Sequence, residues 1–326
     1  MKIISKETQS ILDLIGKYGP IRPSQLTLLA KISNKNLHKH LIYLNEGNYI
    51  SKIGSQPKTF YIKNEKNIFD ALTFDAQDEF IEQNYLTVSP EGRQIYGKEG
   101  FQYWCKKVKV DYQKEKVRYV KQLKIFAKFK KEQLISAKKR ILSGKGASYL
   151  DDLYFSDFYN LDYYGKTKLG QLVYFAKTSQ NRELVGIIVK MIKPGLLNLI
   201  KKQNIQFIAY VPPTIARKVQ FMDLLKNNLN LDLSEITVQK VRTATMIPQK
   251  TIRKLEDRIT NAQVSIAIDP NQKINGNILI VDDATGSGAT LNETARKIRN
   301  IASSDIKIFG YSVVGSYKGF EVISEV

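Results

Sequence analysis

The sequence predicts a mixed α/β chain in three parts. A small helical domain closed by a β-hairpin occupies residues 1–100, a long basic helix 101–145, and a parallel-sheet domain 146–326. Three observations predict this. Short, helix-spaced apolar clusters punctuated by Gly-Pro and Gly-Asn stops fill the first sixty residues. A stretch without Gly or Pro then carries 14 Lys/Arg between Lys106 and Arg140, too many for a buried element. From about Leu150, unbroken apolar runs of strand length alternate with helical stretches. That alternation implies a parallel sheet covered on both faces.

Ile11, Leu12 and Ile15 recur at helical spacing up to Gly19-Pro20, which ends the first helix. Pro23 and Ser24 open a second, through Leu26 and Leu29. Ser33 is placed to cap a third, with Leu37, Leu41 and Leu44 inward and a stop at Gly47-Asn48. Strands Tyr49–Ile53 and Thr59–Lys63 follow, joined by Gly-Ser-Gln-Pro-Lys. Three helices and a hairpin in this order resemble a winged helix-turn-helix, in which the third helix enters the major groove of DNA. That resemblance implies an outward face of Asn34, Lys35, Asn36, His38, Lys39 and His40, with Lys58 at the wing tip. A small helical module for protein contacts is the alternative. The stretch Asn84–Gly100 is read as an extension of the same domain.

In the basic segment, Tyr112, Tyr119, Leu123, Phe126, Leu134, Ala137 and Ile141 repeat roughly at helical period. The spacing predicts one helix of ~35 residues, ~50 Å long at 1.5 Å per residue. It ends at Ser143-Gly144-Lys145-Gly146. Its basic face suits a phosphate backbone; a dimerisation helix with a solvated outer face, giving a homodimer, is the other reading. The whole chain carries 51 Lys+Arg against 31 Asp+Glu, a net charge of +20, which favours polyanionic partners over a merely solvated Lys-rich surface.

Composition also excludes several classes. The lone Cys105 forbids an intrachain disulfide, and no His lies near it in sequence to activate it. His38 and His40 are the only histidines, so a zinc site is not expected. No apolar run reaches the ~20 residues of a membrane helix, and Met1–Ser10 lacks a signal-like apolar core. A cytoplasmic protein without membrane contact is expected.

Within the α/β part the strand-length runs are Phe207–Val211, Val264–Ile268, Ile278–Val281 and Ile306–Val314, with helices at Ile215–Asn228 and Leu291–Ile301. The strongest local signal is NILIVDDATGSGATLNETARKI, residues 277–298. A short apolar strand runs into Asp282 and Asp283, acceptors for vicinal hydroxyls. Gly286 and Gly288 allow close backbone approach. The following helix N-terminus suits an anion, and Ser287 and Thr290 add hydroxyl donors. The absence of Gly-Lys-Ser/Thr excludes a nucleotide P-loop, and the glycine spacing excludes the dinucleotide fingerprint. A purely structural glycine-rich turn is the bland alternative.

This segment resembles the phosphoribosyl pyrophosphate (PRPP) motif of type I phosphoribosyltransferases. The resemblance implies that Asp282 and Asp283 bind the ribose hydroxyls, while Thr285, Gly286, Ser287, Gly288, Ala289 and Thr290 hold the 5′-phosphate. It also implies Mg²⁺ bound with PRPP. Upstream, VPPTIARKVQF (residues 211–221) and the ordered Arg242, Pro248-Gln249, Leu255, Arg258 and Asn261 are similar to the competence-protein F (ComF) branch, over roughly residues 160–320. FAKTSQNRELVGIIVKMIK stands where that branch has a Lys-containing helix. By the branch pattern, Pro212, Pro213, Arg217 and Lys218 face pyrophosphate, and Arg242, Lys250, Arg253 and Arg258 belong to a mobile loop closing over the ligand. Two departures stand out. Lys-Val-Gln-Phe at 218–221 replaces Arg-Gly-Phe-Asn, and Gly286 stands where purine-salvage relatives have an Asp. No general base is therefore visible.

The fold expected is thus a type I phosphoribosyltransferase fold with an N-terminal winged helix and a long basic connector. Three functions remain open: an enzyme displacing pyrophosphate from PRPP, a PRPP-sensing DNA-binding regulator resembling purine-repressor architecture, and a nucleic-acid-associated effector in DNA uptake or phage defence. Winged-helix proteins with this domain resemble accessory proteins of some retrons, which implies a nucleoprotein partner.

Overall fold

The computed structural model describes residues 5–46, 49–53, 59–63, 74–137, 147–213, 215, 217–241, 252 and 254–316. The chain divides into two compact units, Met1–Asp75 and Ala76–Val326.

The first unit holds helices α1 (Lys6–Tyr18), α2 (Pro23–Ala30) and α3 (Asn34–Glu46), then strands β1 (Ile50–Ile53) and β2 (Phe60–Lys63). Their order matches the sequence expectation. Ser5 caps α1 by accepting from the Thr8 N–H, and Ser33 accepts from the Asn36 N–H at 3.3 Å at the start of α3. The apolar stripes of the helices meet in one core, with Ile11, Ile15, Leu26, Leu37, Leu41 and Leu44 buried against Ile21, Ile50 and Tyr61. β1 and β2 pair antiparallel, and Ile21, from the α1–α2 connection, bridges to Tyr61 as a third extended segment. The expected stop at Gly47-Asn48 and the wing-tip residue Lys58 lie outside the described residues.

The second unit begins within α4 (Phe74–Asn84). A hairpin of β3 (Leu86–Val88) and β4 (Gln94–Tyr96) follows, then α5 (Gly97–Val108) and α6 (Tyr112–Ala127). Residues 76–100 therefore group with the C-terminal unit, not with the N-terminal helices. The single ~35-residue basic helix is not formed. Lys109 adopts a left-handed conformation (φ 58°) that ends α5, and Asp111 restarts the chain as α6 by accepting from the Lys114 N–H at 2.9 Å. After α6 the chain turns through Glu132 and Gln133, both at positive φ, to make the hairpin β5 (Lys130–Lys131) and β6 (Leu134–Ser136). Leu134 and Ile135 are buried there, and pairing of β6 with the main sheet outweighs the local helical preference. Lys138–Arg140 and the expected 143–146 boundary lie outside the described residues.

Then come β7 (Asp152–Phe158), a 3₁₀ turn (Asp162–Tyr164), α7 (Lys168–Thr178), α8 (Arg182–Lys202), β8 (Ile205–Tyr210), α9 (Phe221–Leu229) and β9 (Ser234–Ile236). The chain continues through β10 (Val238–Lys240), α10 (Leu255–Ser265), β11 (Ile266–Ile268), β12 (Asn277–Thr285), α11 (Ala289–Arg299) and β13 (Ile308–Gly315). The central sheet has seven strands in the order β5-β6-β7-β13-β12-β8-β9. β7, β13, β12, β8 and β9 run parallel, and β5 and β6 form an antiparallel edge. The run read as Val264–Ile268 takes no part in the central sheet. Its first two residues close α10, and Ile266–Ile268 pairs antiparallel with β10 in a separate two-stranded ribbon.

Helices α7, α8 and α9 cover one sheet face, burying Leu172, Ile188, Leu196 and Leu225 with Leu279, Val281, Phe309 and Tyr311. On the other face Gly310 leaves room for Leu291 of α11 and Leu153 of β7; a Cβ there would come within 2.8 Å of Leu153. No helix among the described residues is long and apolar enough to cross a membrane.

The topology fixes where a ligand site can form. β8 leads through α9 to β9 on one side, whereas β12 leads through α11 to β13 on the other. The strand order therefore reverses between β8 and β12. At such a point the connections diverge beyond the carboxyl ends of the strands and leave a crevice.

Candidate functional site

Asp282 and Asp283 lie at that reversal. β12 continues past the apolar run, so both acids are strand residues, with Asp282 opposite Ser312 and Thr285 opposite Gly315 of β13. The strand read as Ile278–Val281 therefore extends through both acids to Thr285. The extra pairing fixes their backbone more firmly than a loop would. The Asp283 N–H donates to Asp282 Oδ1 at 2.8 Å. Gly288 then takes φ +75°, open to Gly at little cost, and starts α11 at Ala289. Ser287 Oγ accepts from the Ala289 N–H at 3.4 Å. Ala289 is buried and Thr290 half-buried, so the amino end of α11 sits directly after the acids. Thr285 is buried, and its Oγ1 has no hydrogen-bond partner among the described residues.

Two lysines complete the charge cluster. Lys177, in the last turn of α7, places Nζ 2.9 Å from Asp283 Oδ2, both side chains largely buried. Lys240, at the end of β10, is close enough to act on the Asp282 charge. Asp282 is pushed up to about 7, first by burial and then by the neighbouring Asp283 charge. The Asp283 N–H, Lys177 and Lys240 oppose that rise. Burial lowers Lys240, with Asp282 pulling the other way. A bound cation or a set of hydroxyl donors would oppose the rise in Asp282 in the same way. Neither lysine was singled out from sequence. Lys177 lies within the segment read as a Lys-containing helix, but nothing local marks it among its many neighbours.

The loop after β8 reaches the same crevice, since the Val211 N–H donates to the Val281 carbonyl at 2.9 Å. Pro212 is half-buried, and Pro213 and Lys218 are exposed. The Arg217 guanidinium donates to the backbone carbonyl of Lys177, and the Val219 N–H donates to Gln180 Oε1 at 2.8 Å. Arg217 therefore ties this loop to the end of α7 rather than projecting toward a ligand. Arg258 also departs from its expected place in a mobile loop. It is buried on α10, and its Nε donates to the Ile252 carbonyl at 2.7 Å. Arg242, Lys250 and Arg253 lie outside the described residues.

In the N-terminal unit, Asn34, Lys35, Asn36, His38 and Lys39 are exposed on α3. His40 is turned inward instead, with Nδ1 2.9 Å from Thr8 Oγ1 and Nε2 3.7 Å from Glu7 Oε2 of α1. Helical geometry explains this: positions 37, 41 and 44 bury, and 40 flanks that stripe. No group of three or more His, Cys, Asp or Glu capable of holding a metal occurs among the described residues. No protein-family model matches the chain, and no curated protein matches its sequence.

Proposed function

We propose that the Ala76–Val326 unit binds PRPP with Mg²⁺ in the manner of a type I phosphoribosyltransferase, and that the first unit is a winged helix that binds duplex nucleic acid. The observation that carries the first part is the Asp282–Asp283 pair at the strand-order reversal, followed within five residues by the Gly288-opened amino end of α11. Vicinal ribose hydroxyls donate to the paired carboxylates, and the 5′-phosphate meets the backbone N–H groups and dipole of α11. Ser287 and Thr290 stand within the same turn, and the Thr285 hydroxyl offers a further unused donor.

Mg²⁺ suits this donor set. It dehydrates reluctantly and is commonly held by one or two carboxylates together with ligand phosphates rather than by a full protein cage. Asp282 and Asp283 would hold it, and the ion would neutralise pyrophosphate charge. Lys177 and Lys240 supply cations beside the two acids. Lys177 exchanges Asp283 for a ligand oxygen when the ribose arrives.

The exposed row of Asn34, Lys35, Asn36, His38 and Lys39 supports the duplex reading, because it matches phosphate and base-edge acceptors. The Ile21–Tyr61 bridge beside the β1–β2 hairpin supports the wing.

Calorimetric titration with PRPP and Mg²⁺ tests the site. Saturable binding that needs both supports it; no heat with either order of addition overturns it. Pyrophosphate release, with and without nucleic acid, separates turnover from sensing.

A further inference from the structure

A second surface of the Ala76–Val326 unit has no part in that reading. Trp104 of α5 and Tyr163 of the 3₁₀ turn meet edge-to-face, with ring centroids 5.4 Å apart at 89°. Tyr164 packs on both rings, at 5.2 Å and 5.1 Å. The Tyr164 hydroxyl donates to Glu115 Oε2 at 2.8 Å, and Arg118 Nη1 donates to Glu115 Oε1 at 2.7 Å. One connected group thus runs from Trp104 to Arg118. Its inner members are buried, but Tyr163 is 58% exposed and the Arg118 side chain 71% exposed.

Tyr163 is held there by construction. The Leu161 N–H donates to the Gly165 carbonyl at 2.6 Å, closing a tight loop. Gln122 of α6 pins that loop by donating to the Leu161 carbonyl at 3.0 Å. Asp162 adopts φ 55°, an unfavourable conformation for a residue with a Cβ. A strained, pinned loop that presents an aromatic ring to solvent suits a stacking platform.

The surroundings decide what stacks. Residues 104–121 hold seven Lys/Arg against two acids. Glu115 is consumed by Arg118 and Tyr164, and Asp111 by capping α6. Lys107 lies one turn from Trp104 on α5, and Lys114 and Lys121 lie one turn either side of Arg118 on α6. Lys107 and Lys114 are exposed and Lys121 is half-buried. An aromatic platform rimmed by cations is the arrangement that binds unpaired bases and their phosphates without sequence preference.

We infer that Tyr163, Trp104 and the cations Lys107, Lys114, Arg118 and Lys121 form a binding surface for single-stranded nucleic acid. None of these residues belongs to the α3 face proposed for duplex, which is part of the other unit. A base stacks on Tyr163, and its flanking phosphates meet the lysines and Arg118. A protein partner with an acidic face is the competing occupant, and it would not require base stacking.

The chain's single tryptophan makes a local reporter. Full-length protein is titrated with a ~12-nucleotide oligo(dT), within the size range of such sites, and with a duplex of equal length, following anisotropy and Trp104 emission. Oligo(dT) quenches Trp104, and Tyr163→Ala lowers oligo(dT) affinity about five-fold or more. Tyr163→Phe stays within about two-fold of wild type, because the ring and not the hydroxyl stacks. Duplex affinity is the same for all three proteins. Because Tyr163 is largely exposed, Tyr163→Ala folds, as circular dichroism checks. Unchanged oligo(dT) affinity in Tyr163→Ala, or an equal loss for duplex, overturns the inference. So does absence of Trp104 quenching, which leaves a protein-docking surface.

Discussion

At the Asp282–Asp283 pair, two carboxylates share a half-buried strand end, and their repulsion is stored until a ligand relieves it. Three predictions belong to this scale. First, Asp282→Asn with Asp283→Asn lowers PRPP–Mg²⁺ affinity by about 100-fold or more, from two charge-assisted hydrogen bonds of about 1.5–3 kcal/mol each. In its Tm at pH 8 the relieved repulsion and the lost Lys177–Asp283 pair oppose one another, and circular dichroism checks that the variant folds. Wild-type affinity in the double variant refutes the ribose assignment. Second, Asp282 is raised from the ordinary carboxylate range to about 7. The folded state therefore binds more protons than the unfolded chain between those values, and this group's contribution to stability falls as pH rises through that window and is level above it. Ligand binding needs the ionised form, so PRPP–Mg²⁺ affinity rises with pH up to about 7 and a proton is released. Calorimetry in buffers of different ionisation enthalpy detects that proton, and a heat independent of buffer refutes it. Third, Lys177→Met leaves Asp283 without its 2.9 Å partner. We expect a loss of about 1–2 kcal/mol at pH 8, discounted for partial solvent access. Urea melts of the two proteins at that pH measure it.

At the scale of elements, what the sequence shows depends on whether a local signal competes with tertiary pairing. α1, α2 and α3 are legible because Ser5, Pro23 and Ser33 mark their starts and the leucine and isoleucine stripes mark their inner faces. The strand–acid–glycine–helix order of 277–299 is legible for the same reason. The length of β12 is not, since its last residues pair with β13 against their polar composition. The basic segment misleads because charge and helical period persist across its breaks. Asp111 is a readable cap, but the left-handed turn at Lys109 has no local cause, and the β5–β6 hairpin forms only because β7 offers an edge. Lys177 and Lys240 reach the acids from α7 and β10, more than forty residues away in sequence, so no motif could reveal them. One element-level prediction follows from the turn before α11. Gly288 at φ +75° sets the direction of the helix amino end. Gly288→Ala costs about 1–2 kcal/mol of stability and lowers PRPP affinity by more than that, because the N–H groups lose their aim. Thermal melts and calorimetry on the same samples compare the two; an affinity loss no larger than the stability loss refutes a phosphate role for this turn.

At the scale of the whole molecule, the basic segment is no spacer. Its helices α5 and α6 lead into β5 and β6, which extend the sheet that carries Asp282 and Asp283. A short covalent path also links the two proposed sites of the Ala76–Val326 unit. The Tyr163 loop ends at Thr167, which caps α7 by accepting from the Gly170 N–H at 2.9 Å. α7 then runs about 15 Å, at 1.5 Å per residue, to Lys177, whose ammonium pairs with Asp283 and whose carbonyl accepts from Arg217. A ribose that takes Asp283 away from Lys177 releases one end of α7, while a base stacked on Tyr163 bears on the other. A stiff helix clamped at both ends transmits such a change if its two positions differ in energy. We therefore expect saturating PRPP–Mg²⁺ to change oligo(dT) affinity, and oligo(dT) to change PRPP affinity by the same factor, because linkage is reciprocal. A coupling of about 1–3 kcal/mol corresponds to roughly 5–150-fold. Lys177→Met should remove most of that factor while leaving oligo(dT) binding in the absence of PRPP intact, since its side chain lies at the far end of the helix from Tyr163. Titrations of oligo(dT) with and without PRPP–Mg²⁺, on wild type and Lys177→Met, measure it. Superimposable wild-type curves would mean that α7 holds the two sites without relaying anything between them, and a coupling that survives Lys177→Met would place the relay elsewhere in the sheet.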